Sequence, residues 1–358
     1  MHPLGWLLVG ASYIAGARML PAIRSSEGSD VVAVYSRCPE RAQEFASAHD
    51  ISRAYADLGA ALNDPRVDAV YISSTNELHA PATLAAATAG KHVLCEKPLA
   101  LSLDDGFEMA ATCRRHGVVL GVNHVKRQAP TIRAMRRAIA DDAVGEPLAA
   151  RVYFTTALPV HQQTWRLATT APGSGVMFDL TVHDADLLRF LLGDEIEAVA
   201  AFGTQQGLAA GTTEDSAMGI LRFRSGLLAS FHDSFTLPHA GTGLEVHGTA
   251  GSLVGIDVMG DDPVGDVILK RCGTTTALDV EPRDDLFART VADFEHAVRN
   301  GTPPMVTGED GIRSLAVALA ARESARDRRI VEIVTLDRRL ASLNGCAPLD
   351  GRRGPMIE

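Results

Sequence analysis

Short apolar runs alternate with helix-forming segments through the first third of the chain, and this alternation constrains the fold more than any other feature. The apolar runs cover residues 6–9, 31–35, 69–73, 92–95 and 118–122. The segments between them are rich in Ala, Leu, Arg and Glu, and they cover 14–24, 41–49, 80–89 and 103–115. This rhythm is typical of βαβ units, so it predicts a parallel sheet with helices on both faces.

From about residue 151 the rhythm changes to strands in succession. One helical segment, 185–192, is followed by strand-like runs at 197–203, 216–223, 227–235 and 244–247. Strands that follow one another without intervening helices favour an antiparallel sheet. The pattern therefore indicates a second domain of a different class.

Together these patterns predict an α/β protein with two domains. Residues 1–124 would form an N-terminal Rossmann dinucleotide-binding domain, and residues 125–340 a C-terminal α+β domain with a large, mostly antiparallel open sheet. Late helices are predicted over 284–299 and 308–326, and we expect the second to pack back on the first domain. Residues 341–358 are predicted to be a tail.

The composition excludes several classes of function. The net charge is -10 and the sequence has no block of Lys and Arg, so it predicts no basic surface that could bind the phosphates of a nucleic acid. No window approaches the roughly 18 apolar residues that a membrane span requires, and the run 4–9 is too short for a secretion signal. The five cysteines are scattered without metal-ligand spacing, so we expect reduced thiols, no metal site and a cytoplasmic protein.

A glycine turn joins the first predicted strand to the first helix. A dinucleotide-binding fold uses this turn to place a pyrophosphate on backbone N–H groups and a helix N-terminus. Ser12 and Ala15 occupy the second and third glycine positions of the usual motif, and a turn without a ligand would use similar residues. The position of the turn within the βαβ rhythm favours the cofactor interpretation, with these binding residues: Gly10, Ala11, Ser12, Tyr13 and Ile14.

The end of the second predicted strand bears on the choice of cofactor. NAD-selective proteins carry a carboxylate there for the ribose hydroxyls, whereas this chain has Ser36 and Arg37, with Arg41 close behind. Two arginines suit a 2′-phosphate, so the sequence predicts NADP(H), with NAD(H) as the alternative. The competing interpretation is that both arginines are simply solvated.

Polar residues also follow the strand at 69–73, and these are Ser74, Thr75, Asn76 and His79. The carboxyl ends of parallel strands meet at one edge of the sheet, so we expect these residues to line the nicotinamide side. His79 has a second interpretation, in which it only begins the next helix.

The segment 90–98 reads Gly-Lys-His-Val-Leu-Cys-Glu-Lys-Pro, an apolar strand that ends in Glu96 and Lys97. Buried parallel strands are apolar along their length and bind ligands at their carboxyl ends, so Lys97 should face the site. The alternative is an ordinary surface lysine after a strand.

Asp179 and His183 stand four residues apart, so they share a face on a helical turn. A carboxylate beside an imidazole raises the pKa of the imidazole, which suits a proton donor near neutral pH. A metal site would need a third ligand at suitable spacing, which the sequence lacks. The structural alternative is that Asp179 caps the helix that His183 begins.

The lysine segment, the glycine turn and the Asp-x-x-x-His motif together resemble the Gfo/Idh/MocA family of NAD(P)-dependent oxidoreductases, over nearly the whole chain. The resemblance implies that Lys97 lies near nicotinamide and substrate, that His183 donates the proton and that Asp179 orients the sugar. It also implies NADP-selecting roles for Ser36 and Arg41. Further positions implied to contact the cofactor are Glu96, Asn123, Trp165 and Arg166, and those implied for substrate are Lys97, His161, Arg166, Asp179 and His183.

The leading functional prediction is NADPH-dependent reduction of a sugar ketone such as 1,5-anhydro-D-fructose to the alcohol, with Lys97 as the alternative proton donor. A second hypothesis reverses the direction, with oxidation of a sugar or cyclitol hydroxyl. A third, from another class, is a nucleotide-sensing protein without turnover. The open sheet also predicts a homo-oligomer formed through that sheet.

Overall fold

The computed structural model describes residues 2–168, 172–333 and 336–343. It contains two sheets, which confirms the predicted combination of a parallel sheet and a mostly antiparallel one. Most of the predicted tail, 344–358, lies outside the described residues, and residues 341–343 form the end of a helix.

In the part of the chain that the structure describes, the first sheet has six strands, and all of its neighbouring strands are parallel. Its strands are β1 (Leu4–Val9), β2 (Ser29–Tyr35), β3 (Ala54–Tyr55), β4 (Ala69–Ile72), β5 (His92–Cys95) and β6 (Leu120–Val122). The order β3-β2-β1-β4-β5-β6 is that of the doubly wound dinucleotide-binding fold. The connections from β1 lead outward to β2 and β3 on one side, and those from β4 lead to β5 and β6 on the other side. The strand order therefore reverses between β1 and β4, and a crevice opens at the carboxyl ends of these two strands.

Helices cover both faces of this sheet. They are α1 (Leu20–Ser25), α2 (Pro39–Ala48), α3 (Leu58–Leu62), α4 (His79–Thr88) and α5 (Leu103–Arg115). A π-helical turn, Ala15–Met19, leads directly into α1. Strand β3 and helix α3 are additions to the sequence prediction, because two and five residues are too few to show a periodic pattern.

Within the described ranges, the second sheet has nine strands in the order β14-β13-β12-β11-β7-β10-β9-β8-β15. They are β7 (Pro147–Thr155), β8 (Ile196–Thr204), β9 (Ser216–Phe223), β10 (Leu228–Ser234), β11 (Thr242–Gly248), β12 (Ser252–Ile256), β13 (Asp266–Arg271), β14 (Thr274–Ala277) and β15 (Val331–Glu332). The pair β7 and β10 is parallel, and the other neighbours are antiparallel. Strand β7 is absent from the sequence prediction, although its second half contains Val152, Tyr153 and Phe154, which favour strands.

The remaining helices are α6 (Pro130–Ala140), α7 (Val182–Leu192), α8 (Leu286–Asn300), α9 (Gly308–Asp327) and α10 (Leu336–Leu343). Helices α6, α7 and α9 pack on one face of the second sheet, and α9 also contacts α5 and β6 of the first. In the described ranges, no helix is both long and apolar enough to cross a membrane. The opposite face of the sheet exposes a group of large apolar side chains: Phe202, Met218, Ile220, Leu228 and Ile256.

A buried ion pair fixes the turn after β6 to the helices of the second sheet. Arg127 lies in the 3-10 turn Val125–Gln128 after β6, and its guanidinium donates to both carboxylate oxygens of Asp186 at 2.8 and 2.7 Å. It also contacts Asp310 at 3.1 Å, at the beginning of α9. Because burial of an arginine requires partners, these contacts fix the turn against α7 and α9.

Candidate active site

A cleft runs along the carboxyl ends of the parallel strands and continues along β7, the segment 158–166 and the turn before α7. It lies where the order of the strands reverses, the usual ligand position in open α/β sheets. Every residue predicted to bind cofactor or substrate lines this cleft: Gly10, Ala11, Ser12, Tyr13, Ile14, Ser36, Arg37, Arg41, Ser74, Thr75, Asn76, His79, Glu96, Lys97, Asn123, His161, Trp165, Arg166, Asp179 and His183.

The glycine turn is shaped for a close approach of backbone segments. Gly10 has φ +113°, and a Cβ there would lie 2.8 Å from the backbone nitrogen of Ser74. Ser12 hydrogen-bonds Ser73 Oγ at 2.8 Å and accepts from the Ala15 backbone N–H at 3.2 Å. The serine thus ties the turn to the end of β4. The turn leads into the N-terminus of a helix, which is where folds of this kind bind a pyrophosphate.

Basic side chains lie at the end of the cleft beyond β2. Arg41 donates from Nε to the carbonyl oxygen of Ala11 at 3.1 Å, which holds its guanidinium beside the glycine turn. Arg37 is exposed and Ser36 is half-buried, and both line the same end of the cleft. These groups have the chemistry that a 2′-phosphate requires.

The carboxylate of Glu96 is held by two donors at the centre of the cleft. The Tyr71 hydroxyl donates to Oε1 at 2.5 Å, and Asn123 Nδ2 donates to the same oxygen at 2.6 Å. Burial raises the pKa of Glu96, although both donors oppose that change. The sequence prediction did not include Tyr71 among the site residues. The available signal was its hydroxyl in an otherwise apolar buried strand, since a buried hydroxyl needs a hydrogen-bond partner.

Lys97 and Asp179 form an ion pair across the cleft. Lys97 Nζ lies 2.7 Å from Asp179 Oδ1 and 2.8 Å from the Asp179 carbonyl oxygen. Arg166 Nε donates to the other carboxylate oxygen at 3.1 Å. Burial opposes ionisation of Asp179, but the charges of Lys97 and Arg166 outweigh it and hold the pKa of this carboxyl well below its ordinary value. Asp179 is therefore an anion that orients two cations.

This geometry corrects the predicted relation between Asp179 and His183. Both side chains line the cleft, but the carboxylate oxygens of Asp179 bind Lys97 and Arg166 instead of the imidazole. Burial, followed by the positive charges of Lys97 and Lys126 and by His124, lowers the pKa of His183 well below its ordinary value. The prediction of a raised pKa was wrong, because spacing along a helix does not reveal partners from distant segments.

The other predicted residues occupy distinct parts of the cleft. His79 is almost fully buried, and its ring nitrogens lie 2.9 and 3.1 Å from the carbonyl oxygens of Pro98 and Ser74. Asn76 Nδ2 donates to Gly173 O at 3.2 Å. His161 is exposed at the rim, where its ring packs on Tyr13 with centroids 4.7 Å apart. His79 thus connects the loops after β4 and β5.

Two further polar groups near His183 gave no sequence signal. Lys126 pairs with Asp261 at 2.9 Å, and both line the cleft. His124 lies behind His183, with ring centroids 5.5 Å apart, and its Nδ1 is 3.9 Å from Asp186. Their spacing along the chain matches no catalytic motif, so only the fold reveals them.

Family models match most of the chain. Residues 4–124 match an oxidoreductase family described as having an NAD-binding Rossmann fold, and residues 132–254 match the GFO/IDH/MocA C-terminal domain. The chain belongs to the Gfo/Idh/MocA family of oxidoreductases. The predicted family is confirmed, and membership favours an enzyme over a sensor without turnover.

Curated relatives cover nearly the whole chain. The chain is 46% identical to 1,5-anhydro-D-fructose reductase of Ensifer adhaerens, over 92% of this chain and 98% of the relative. It is 32% identical to D-apiose dehydrogenase of Paraburkholderia graminis, over 92% and 90%. These relatives act on sugars by their names, one as a reductase and one as a dehydrogenase.

Solved structures share the fold. The aldose-aldose oxidoreductase of Caulobacter crescentus, solved with glycerol, is 25% identical with a TM-score of 0.85, covering 93% of this chain and 100% of that one. An NAD-binding oxidoreductase of Klebsiella pneumoniae is 26% identical with a TM-score of 0.82, covering 93% and 99%. The arrangement of both sheets is therefore that of known oxidoreductases.

The buried imidazole behind the cleft makes stability depend on pH. Burial lowers the pKa of His124 to about 4 from an ordinary 6.5, so between these values the unfolded chain binds the proton that the folded chain excludes. We expect the free energy of unfolding to fall as pH drops from 6.5 to about 4, with His124 contributing about 3 kcal/mol. Urea unfolding at a series of pH values measures this.

The variant His124→Gln should make that dependence shallower, with His183 still contributing, whereas His239→Gln, at an exposed position between β10 and β11, should leave it as in the wild type. An unchanged slope in His124→Gln would show that other groups carry the effect.

Proposed function

We propose that the chain reduces a ketone on a sugar, such as 1,5-anhydro-D-fructose to 1,5-anhydro-D-mannitol, with NADPH as the reductant. The observation that carries the proposal is the Lys97–Asp179 ion pair beside His183, in a cleft that extends to the glycine turn. The 46% identity to a reductase of this sugar ketone supports the same substrate class.

Bound NADPH would supply a hydride from nicotinamide C4 to the carbonyl carbon. The glycine turn and the cradle of Tyr71, Glu96 and Asn123 would orient it in the cleft. Lys97, held by Asp179, would donate a hydrogen bond to the carbonyl oxygen as negative charge develops there. Such preorganised donors stabilise an alkoxide better than water does, because they need no reorganisation.

The second proton-carrying group is His183, and its lowered pKa bears on the direction of reaction. As a donor in reduction it must be protonated, so reduction through His183 should speed up as pH falls. As a base in oxidation it must be neutral, which is its state at neutral pH. This observation favours oxidation of a sugar hydroxyl as the second candidate function, and 32% identity to a dehydrogenase supports it.

Lys97→Met and His183→Ala should each lower turnover of 1,5-anhydro-D-fructose by about two orders of magnitude or more, since each removes a group at the reacting oxygen. The measurement is the loss of NADPH absorbance, together with circular dichroism to show that the variants fold. Lys270→Met, at an exposed position on β13, is the matched control for Lys97→Met.

Nearly full turnover in Lys97→Met would refute its role. If His183→Ala loses little turnover and its turnover still falls as the pH rises, Lys97 is the proton donor. Binding of NADPH without turnover of any keto-sugar would move the search to sugar hydroxyls and the oxidative direction.

The choice of NADPH over NADH rests on Ser36, Arg37 and Arg41. The two guanidiniums and the hydroxyl offer donors to a 2′-phosphate, and Arg41 is oriented by its bond to Ala11. NADH lacks that phosphate, so it would gain nothing from these contacts.

The double variant Arg37→Ala/Arg41→Ala should therefore weaken NADPH binding about tenfold or more and change NADH binding much less. Fluorescence titration with each cofactor measures both dissociation constants. Arg271→Ala, an exposed arginine on β13, is the control. Equal losses for NADPH and NADH would mean that the arginines do not read the 2′-phosphate.

The partners we propose are a sugar-like substrate and a second copy of the chain, while the cytoplasmic location and the lack of nucleic-acid partners stay predictions. The uncovered sheet face supports a homo-oligomer, because Phe202 on β8 and Met218 on β9 pair across the strands and are 78% and 52% exposed. Contiguous apolar surface of this kind is typical of association sites.

Phe202→Lys/Met218→Lys should convert an oligomer into a smaller species, because buried lysines without partners oppose association. Light scattering after size-exclusion chromatography gives the mass. Val264→Lys, which charges a 52% exposed valine between β12 and β13, is the control. The same mass for the wild type and the double variant would rule out this face.

A further inference from the structure

A second lysine–aspartate pair lines the cleft beside the proposed catalytic one. Lys126 lies in the 3-10 turn after β6, and only 3% of its side chain is exposed. Its Nζ lies 2.9 Å from Asp261 Oδ1 and 4.8 Å from the centroid of the Phe154 ring. That ring in turn lies 6.3 Å from the ring of His183, so the ammonium belongs to the surroundings of the reacting group.

The pair has unused hydrogen-bonding capacity. Among the described residues, Asp261 is the only acceptor hydrogen-bonded to Lys126 Nζ, and an ammonium carries three donors. The Asp261 side chain is 45% exposed, and only its Oδ1 takes part in that bond. Two donors of Lys126 and one oxygen of Asp261 are thus left for a ligand in the cleft.

The loop that carries Asp261 is held at the cleft from both sides. It connects β12 to β13, and the neighbouring Asp262 pairs at 2.9 Å with Arg18 in the π-helical turn that follows the glycine turn. Asp261 therefore has a fixed position relative to the cofactor turn as well as to Lys126. A fixed position is what a selective contact requires.

The chemistry of this pair matches a hydroxyl group. A hydroxyl accepts one hydrogen bond and donates another, so it can bind the ammonium and the carboxylate together. A charged substrate group would meet a like charge in one member of the pair. A neutral polyhydroxylated molecule satisfies both members without placing an unpaired charge in the cleft.

We propose that Lys126 and Asp261 form a second substrate-binding pair, which takes a hydroxyl of the sugar that is not the reacting oxygen. This inference rests on the proposed function and adds a specificity site to it. Lys97 and Asp179 then hold the reacting oxygen, while Lys126 and Asp261 fix the orientation of the ring. Two anchored positions determine which face of the carbonyl meets the hydride.

The test compares Lys126→Met and Asp261→Asn with the wild type, using 1,5-anhydro-D-fructose as the substrate. Each variant removes a charge-assisted hydrogen bond to substrate, so KM for the sugar should rise about ten- to hundredfold. The NADPH dissociation constant should stay as in the wild type. Lys270→Met is again the control, and Asp261→Asn keeps the size of the side chain if Lys126→Met folds poorly.

Deoxy analogues of the sugar identify the hydroxyl. For the wild type, KM should be higher for the analogue that lacks the contacted hydroxyl than for the parent sugar. For Lys126→Met and Asp261→Asn, KM should be the same for that analogue and for the parent sugar, because the contact is already lost. A purely structural role would raise KM equally for every analogue, and that result would overturn the proposal. An unchanged KM for the sugar would overturn it as well.

Weaker NADPH binding with an unchanged KM for the sugar would assign the pair to the cofactor and refute its role with substrate. If the wild type itself turns over no keto-sugar, the proposed function fails and this inference fails with it. If the wild type is active and Lys126→Met has the same turnover and the same KM for the sugar, this inference alone is refuted.

Discussion

The buried guanidinium of Arg127 is the interaction on which the geometry of the cleft depends. It is 6% exposed and binds Asp186 through two hydrogen bonds and Asp310 through a third, so removing the guanidinium would leave the buried carboxylate of Asp186 without its arginine partner. Asp186 stands three residues after His183, and Arg127 stands four residues after Asn123. The pair therefore sets the distance between the helix that carries His183 and the strand end that carries Asn123.

Within that frame, the cleft is organised by pairing of opposite charges. Asp179 holds Lys97 and Arg166, and Asp261 holds Lys126. Each pairing offsets the cost of placing charge in a partly enclosed cleft. His183 is buried and lies among these cations without a carboxylate of its own, so burial first and the neighbouring positive charges second lower its pKa.

Much of this could be predicted from the sequence, and the rest shows where such reasoning ends. The apolar runs predicted the parallel sheet. Because the carboxyl ends of parallel strands share one edge, the positions of Lys97 and the glycine turn after predicted strands also placed them at the cleft. Helical spacing put Asp179 and His183 in one cleft but could not show that Asp179 binds Lys97, 82 residues away. Lys126 and Asp261 are 135 residues apart, and only the folded chain brings them together.

The turn Met177–Thr181 is π-helical and runs into α7, so its hydrogen bonds span one residue more than those of an α-helix. It is equivalent to a single inserted residue. Removing one residue there would turn the preceding segment by about 100° relative to α7. Asp179 would then leave Lys97 while Asp186 stayed with Arg127. The wide turn thus lets one continuous helix place Asp179 beside Lys97 in the cleft while its body holds Asp186 beside the buried Arg127.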